Sequence, residues 1–392
     1  MTIDRHGFYR VGDFKTYSKL EAIELHARTG IHPHWDFNES VFDCYDWTVE
    51  PKISLSDLYK QRAQQLRSQY DYLILNYSSG ADSQTILDTF VDNDILLDET
   101  FSIINMQGTA DKANPLNEEI FQYAIPFMQS LNRVQSWPRH RVLDCTQGMV
   151  DYFSKSQALD WIYNVNMIWT AFNVSIPDLI MSVPAWRNLM SQGKKIAIIT
   201  GTDKPRLSHE NGKWAAKFID ISGFNGNVQM TVPDLLPYST EYFYWTPDLP
   251  EIIIKQAHLV KNYMDSGDVK DLPHITLEKT DVAYKTVAGK KYWLNFIGLH
   301  SIIYPTWHRH QRPNACKPTS MLYNVDDRSG GSGRENWFYD VGVTNEFRKR
   351  WEIGYRHMWQ TLPDYWKNNP QEINQGIKAS VSKNYYLEKE TV

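Results

Sequence analysis

The chain has 392 residues, enough for one large domain or two to three modest ones, and 42% of them are apolar. Its net charge of −5 gives no general pull toward nucleic acid or an anionic membrane. Its three cysteines, Cys44, Cys145 and Cys316, are widely spaced and argue against a disulfide framework or a cysteine-based zinc site. No stretch approaches the roughly 18 apolar residues of a membrane span, and the first residues, Met1 to His6, lack the apolar run of a secretory signal. A reducing cytoplasm and no membrane partner are therefore expected. The 14 Trp and 23 Tyr predict an aromatic groove or surface in addition to a core.

Residues 1–53 read as an N-terminal extension, rich in aromatics and histidine. Leu20, Ile23 and Leu25 suggest a helix over Tyr17–Thr29, stopped at Gly30. His32 and His34 flank Pro33. No third ligand lies nearby, so packing or surface roles are expected for them before metal binding. From Ser54 to Tyr70 the apolar residues Leu55, Leu58, Tyr59, Ala63 and Leu66 recur at helical spacing behind a serine cap.

A short apolar strand follows, Tyr72 to Leu75, and then the turn Ser78-Ser79-Gly80-Ala81-Asp82-Ser83. Ile86, Leu87, Phe90 and Val91 place a helix directly behind it. A small-residue turn entering a helix N-terminus suits an anion, because orphan N–H groups and the helix dipole point at the ligand. An ordinary polar strand-to-helix turn has the same composition.

Further along, Phe101–Asn105 and Arg141–Cys145 read as strands. Leu116–Leu131, Gln147–Phe153 and much of 157–194 read as helices. Such alternation predicts a parallel sheet covered on both faces, with its ligand beyond the C-terminal strand ends. A last buried strand, Ile196–Thr200, runs into Gly201-Thr202-Asp203-Lys204-Pro205-Arg206. Residues 205–250 are dense in Pro and Gly and read as loop-rich, and Pro250–Asp265 reads as a helix ended by Gly267.

Beyond a boundary at 267, residues 268–392 are expected to be mainly helical and aromatic, a substrate or partner region. The run Tyr304–Pro318 gathers His308, Arg309, His310, Arg312, Cys316 and Lys317. It reads as a solvated loop, a basic phosphate or substrate loop, or a metal loop on His308, His310 and Cys316. Val325–Gly333 reads as a Gly/Ser linker or lid. Glu346–Trp359 mixes arginines with Trp351, Tyr355 and Trp359. The apolar spacing there favours a packed helix over a nucleic-acid contact.

The Ser78–Ser83 turn resembles the Ser-Gly-Gly-x-Asp-Ser loop of the PP-loop ATP pyrophosphatases, with Ser79 where that family usually has its first glycine. No lysine follows the glycine, which sets it apart from the GxxxxGK[ST] loop. The order Ser175–Met190, Gly193-Lys194-Lys195 and Ile196–Asp203 is similar to the synthetase domain of asparagine synthetase-like proteins, with Lys204 where a glutamate usually stands. The resemblance implies a three-layer α/β fold of the adenine nucleotide alpha hydrolase (HUP) type over 54–267. It implies ATP and Mg²⁺ as cofactors and cleavage of ATP between the α and β phosphates, which adenylylates an acceptor before amine or amide transfer.

On that resemblance Ser78, Ser79, Gly80 and Ser83 would donate to the pyrophosphate, and Ala81, Asp82 and Gly201 would also belong to the cofactor-binding set. Main chain of Ile103 and Ile104 would meet adenine, and Asp82 and Asp203 would hold Mg²⁺. Asp82, Lys204, Arg206 and Lys317 are the catalytic candidates. The segment ahead of the turn is too short for the glutaminase domain of asparagine synthetases. A separate ammonia- or sulfur-donating partner, or another amine, is expected, with a small molecule or a nucleic acid as acceptor. A sulfurtransferase, a sulfate-nucleotide reductase-like enzyme and a non-catalytic nucleotide-binding protein are the alternatives.

Overall fold

A computed structural model describes residues 6–17, 19–104, 117, 119–147, 176–220, 236–280, 282–309 and 381–389. The N-terminal segment forms an antiparallel sheet of β1 (Phe8–Val11), β2 (Phe14–Thr16) and β3 (His34–Asp36), with helix α1 (Lys19–Thr29) between the last two. The expected helix is present. The strands around it lack a clear alternation in sequence and were not expected. A short helix α2 (Glu39–Phe42) leads on.

Helix α3 (Leu55–Gln69) starts where the Ser54 hydroxyl accepts from the Asp57 N–H, and it buries Leu55, Leu58, Tyr59, Ala63 and Leu66. Next come β4 (Tyr72–Asn76), α4 (Ala81–Asp92), β5 (Glu99–Ile104), α5 (Ile125–Leu131) and β6 (Arg139–Asp144). A π-helical turn, Ile120–Ala124, precedes α5. Then follow α6 (Ile176–Ser182), α7 (Pro184–Ser191), β7 (Ile196–Thr200), β8 (Arg206–Glu210), β9 (Lys213–Lys217) and β10 (Ser239–Tyr242). The described chain ends with α8 (Glu251–Asp265), β11 (Ile275–Thr276), β12 (Ala283–Val287), β13 (Lys290–Leu294), α9 (Phe296–Ile303) and β14 (Tyr385–Tyr386).

Strands β4, β5, β6, β7 and β10 form an all-parallel sheet in the order β10-β7-β4-β5-β6. Alternate residues of its strands enter two separate cores. Leu73, Leu75, Ala197 and Ile199 pack on one face with residues of α3, α4 and α8. Ile74, Phe101, Ile196 and Ile198 pack on the other with Ile180, Val183 and Trp186 of the α6–α7 segment. The central strands β4 and β7 are covered by apolar groups on both faces, which is why they read as continuous apolar runs.

A six-stranded mixed sheet, β11-β13-β12-β8-β9-β14, was not expected from the sequence. Residues 205–250 are not simply loops: β8 and β9 form a hairpin there, and β10 is an edge of the parallel sheet. In the C-terminal region the described residues, 268–280, 282–309 and 381–389, hold the strands β11, β12, β13 and β14 with helix α9 and a 3-10 turn at Trp307–Arg309; the rest of the region expected to be mainly helical lies outside the described residues. The sheet also takes strands from both sides of the expected boundary at 267. Two-residue turns build its hairpins. Asn211 and Gly212 have φ of 53° and 76°, and Ala288 and Gly289 have 48° and 76°. Positive φ at both central residues matches strand twist, and Asn-Gly supplies it at little cost.

His140 on β6 makes the fold pH-sensitive. Its Nδ1 pairs with Thr100 Oγ1 at 2.8 Å, while its Nε2 is buried with no hydrogen-bond partner among the described residues. Burial pulls its pKa from 6.5 down to about 4. The unfolded chain therefore takes up a proton that the folded chain refuses. Stability is full above about pH 6.5 and is lost as the pH falls toward 4. Urea unfolding at about pH 5 should give roughly 2 kcal/mol less stability than at about pH 7 from this group. His140→Gln should remove most of that difference; an unchanged pH slope in the variant would refute the assignment.

Candidate functional site

The sheet order places a crevice at one point. From β4 the chain crosses first to β5 on one side, and after β6 it returns to β7 on the other. In an open parallel sheet the C-terminal ends of two such strands cannot be covered by the same crossover, so a cleft is left between them. The 78–83 turn leaves β4, and the 201–205 loop leaves β7.

Within the first turn, Ser79 has φ of 62°, in the left-handed region. A side chain there costs energy that glycine avoids, which gives a physical reason for a glycine at this place. The Ser78 N–H donates to Ser83 Oγ at 3.3 Å, and Ser83 Oγ donates to the Gly80 carbonyl at 3.3 Å. Gly80 caps α4, and the Gln84 N–H makes the first helical bond back to the Gly80 carbonyl at 2.9 Å. The turn is thus folded over the start of a 12-residue helix, where first-turn N–H groups lack helical partners. Ser79→Gly should raise stability by roughly 0.5–1 kcal/mol and Ser79→Val should lower it, as read by urea midpoints.

The second loop lies directly against this helix start. A Cβ on Gly201 would sit 2.8 Å from Asp82 Cβ and 3.3 Å from the Ser83 nitrogen, so only glycine allows the approach. The loop is also tied to the segment after β10, through Phe243 N–H to the Thr200 carbonyl at 3.0 Å and Trp245 N–H to the Thr202 carbonyl at 3.2 Å. Lys204 Nζ then reaches Asp82 Oδ2 at 2.6 Å. Arg206 Nη2 reaches Asp203 Oδ2 at 3.1 Å, and the Lys204 N–H donates to Asp203 Oδ1 at 2.7 Å.

Four expected residues, Asp82, Asp203, Lys204 and Arg206, therefore form one chain of contacts. Two tyrosines complete it, and nothing in the local sequence marks them. The Tyr304 hydroxyl, just past α9, donates to Asp82 Oδ1, and the Tyr244 hydroxyl donates to the Asp82 carbonyl at 2.8 Å. Burial first, and the Asp82 carboxylate among other charges, push both phenols well above their ordinary range, so both act as neutral donors.

Ile103 and Ile104 end β5, beside β4, at the same sheet edge. The Ile104 carbonyl accepts from the Cys145 N–H at 2.9 Å. His308 makes a local contact, Nδ1 to the Pro305 carbonyl at 3.1 Å, and Arg309 pairs with Asp92 at 2.6 Å. Lys317, His310, Cys316, the 325–333 linker and the 346–359 helix lie outside the described residues.

The carboxylates Asp82 and Asp203 are hard oxygen donors, the type Mg²⁺ takes. All four of their oxygens already accept a hydrogen bond or ion pair, and no group of three or more His, Cys, Asp or Glu side chains converges among the described residues. This donor set fits a Mg²⁺ that arrives on phosphates and water and draws at most one or two carboxylates from the protein. It does not fit a metal resident without ligand. No protein-family model matches the chain, and no curated protein matches it.

Proposed function

We propose that this protein activates an acceptor with ATP: the 78–83 turn binds the pyrophosphate end, and an acceptor oxygen attacks the α-phosphorus. The bond from that phosphorus to the bridging oxygen breaks, pyrophosphate leaves, and the adenylylated acceptor passes to an amine that displaces AMP. The reading takes the parallel-sheet domain as one of the HUP type. Its main support is the meeting of the 78–83 and 201–206 segments at the switch point of a five-stranded parallel sheet. Transfer of a phosphoryl-type group needs mainly positioning and neutralisation of negative charge. Ser78, Ser79, Gly80 and Ser83 supply hydroxyls and backbone N–H groups at a helix start, and Lys204 and Arg206 supply fixed cations. Mg²⁺, when it comes with ATP, adds charge neutralisation on the phosphates; Asp82 and Asp203 are its candidate protein ligands only where they release Lys204 or Arg206. Adenine would lie against the main chain of Ile103 and Ile104.

Cys145, just past β6, is buried and so does not offer the accessible thiolate that a sulfur-transfer reading needs; Cys316, the other candidate for it, lies outside the described residues. The test is to incubate the full chain with ATP, Mg²⁺ and amino-acid, nucleobase, tRNA and DNA acceptors. Equal amounts of AMP and pyrophosphate are expected with the right acceptor and an amine. ADP and phosphate as products, or ATP bound without turnover across all acceptors, would overturn the ligase reading.

A further inference from the structure

We propose that Lys204 is the built-in cation of the phosphate site, occupying the place between Asp82 and the phosphates that a divalent ion would otherwise take. The proposal rests on the phosphate-binding reading of the 78–83 turn. Lys204 is only 8% exposed, so its ammonium has little water to solvate it. A buried ammonium persists only beside a counter-charge, and Asp82 provides one at 2.6 Å.

An ammonium has three donor hydrogens, and the Asp82 contact uses one. Among the described residues Asp82 is its hydrogen-bond partner, and Asp82 belongs to the first turn of α4, so the remaining donors stand close to an anion held by that helix start. Gly201 pins the loop that carries Lys204 against this turn, which fixes the amine there. The other Asp82 oxygen accepts from Tyr304, and both Asp203 oxygens are engaged by Arg206 and the Lys204 N–H. A metal binding these carboxylates would displace both cations.

The consequence is that phosphate binding depends only weakly on magnesium. Calorimetric titration of the full chain with inorganic pyrophosphate, in excess Mg²⁺ and in excess EDTA, tests it. The wild type is expected to bind in both, with affinities within about tenfold. Lys204→Met should lose about 10- to 100-fold in EDTA, the worth of a charge-assisted contact. Lys204→Glu should bind only with Mg²⁺. Should Lys204→Met fail to fold, the Asp82→Asn/Lys204→Met pair, which removes both charges, is measured for the same loss.

Wild-type binding in Mg²⁺ that vanishes in EDTA would overturn the proposal, as would a Lys204→Met protein with undiminished affinity in EDTA. Failure of the wild type to bind pyrophosphate or ATP in either buffer would instead overturn the phosphate-binding reading from which it starts.

Discussion

Asp82→Asn protein is expected to form AMP and pyrophosphate at least about 100-fold more slowly than wild type, the scale of losing one preorganised charge in a site of this kind. The substitution keeps the side-chain shape and one acceptor oxygen. It removes the charge that holds Lys204 Nζ at 2.6 Å and weakens the contact from the Tyr304 hydroxyl. The Asp82 carbonyl, which accepts from Tyr244, is untouched, so the helix start keeps one of its long-range ties. Lys204 is left partly buried beside a neutral amide, which lowers stability as well. Turnover must therefore be measured below the unfolding transition of the variant, on protein whose circular dichroism matches wild type. Turnover within about threefold of wild type under those conditions would remove Asp82 from the chemistry.

Arg62→Met should cost about 3–5 kcal/mol, the penalty for stranding a buried charge. Arg62 on α3 is fully buried and pairs with Glu241 on β10 at 2.8 Å; Glu241 is 2% exposed. The same guanidinium donates to the Tyr242 carbonyl at 3.0 Å and reaches Asp248 at 3.4 Å, while Tyr70 donates to the other Glu241 oxygen. The network fastens helix α3 to the edge strand of the parallel sheet. Without Arg62 the buried Glu241 carboxylate loses the guanidinium that neutralises it and keeps the Tyr70 hydroxyl among its contacts. An Arg62→Met/Glu241→Met pair should recover at least about half of the loss, since replacing both charges removes the desolvation cost of each. Urea denaturation of wild type, both single variants and the pair measures this as a cycle. A loss below about 1 kcal/mol for Arg62→Met would show that the pair adds nothing to stability.

The elements around the site are legible in the sequence. Helix 54–70 is found as Leu55–Gln69, strand 72–75 as Tyr72–Asn76, and strand 101–105 as Glu99–Ile104. Strand 141–145 and helix 250–265 are displaced by at most two residues at either end. Each is a local periodicity with a cap or breaker beside it, and such signals survive without tertiary information. The hairpins of the second sheet are harder to see. Their strands are short, Arg206–Glu210 and Lys213–Lys217 are polar at their ends, and proline and glycine surround them. The Asn211-Gly212 pair is nevertheless a hairpin signal of the strongest short-range kind.

By itself the sequence determined the strand, small-residue turn and helix at 72–92, because backbone propensity and apolar spacing act between near neighbours. It also determined that carboxylates and cations stand at 82 and 203–206. Only the tertiary structure decided what those groups touch. Lys204 meets Asp82 across 122 positions, Tyr244 across 162 and Tyr304 across 222. No local pattern encodes such pairs. They arise because two parallel strands end at one edge and a glycine at 201 lets their loops close, and burial then forces each charge to find a partner.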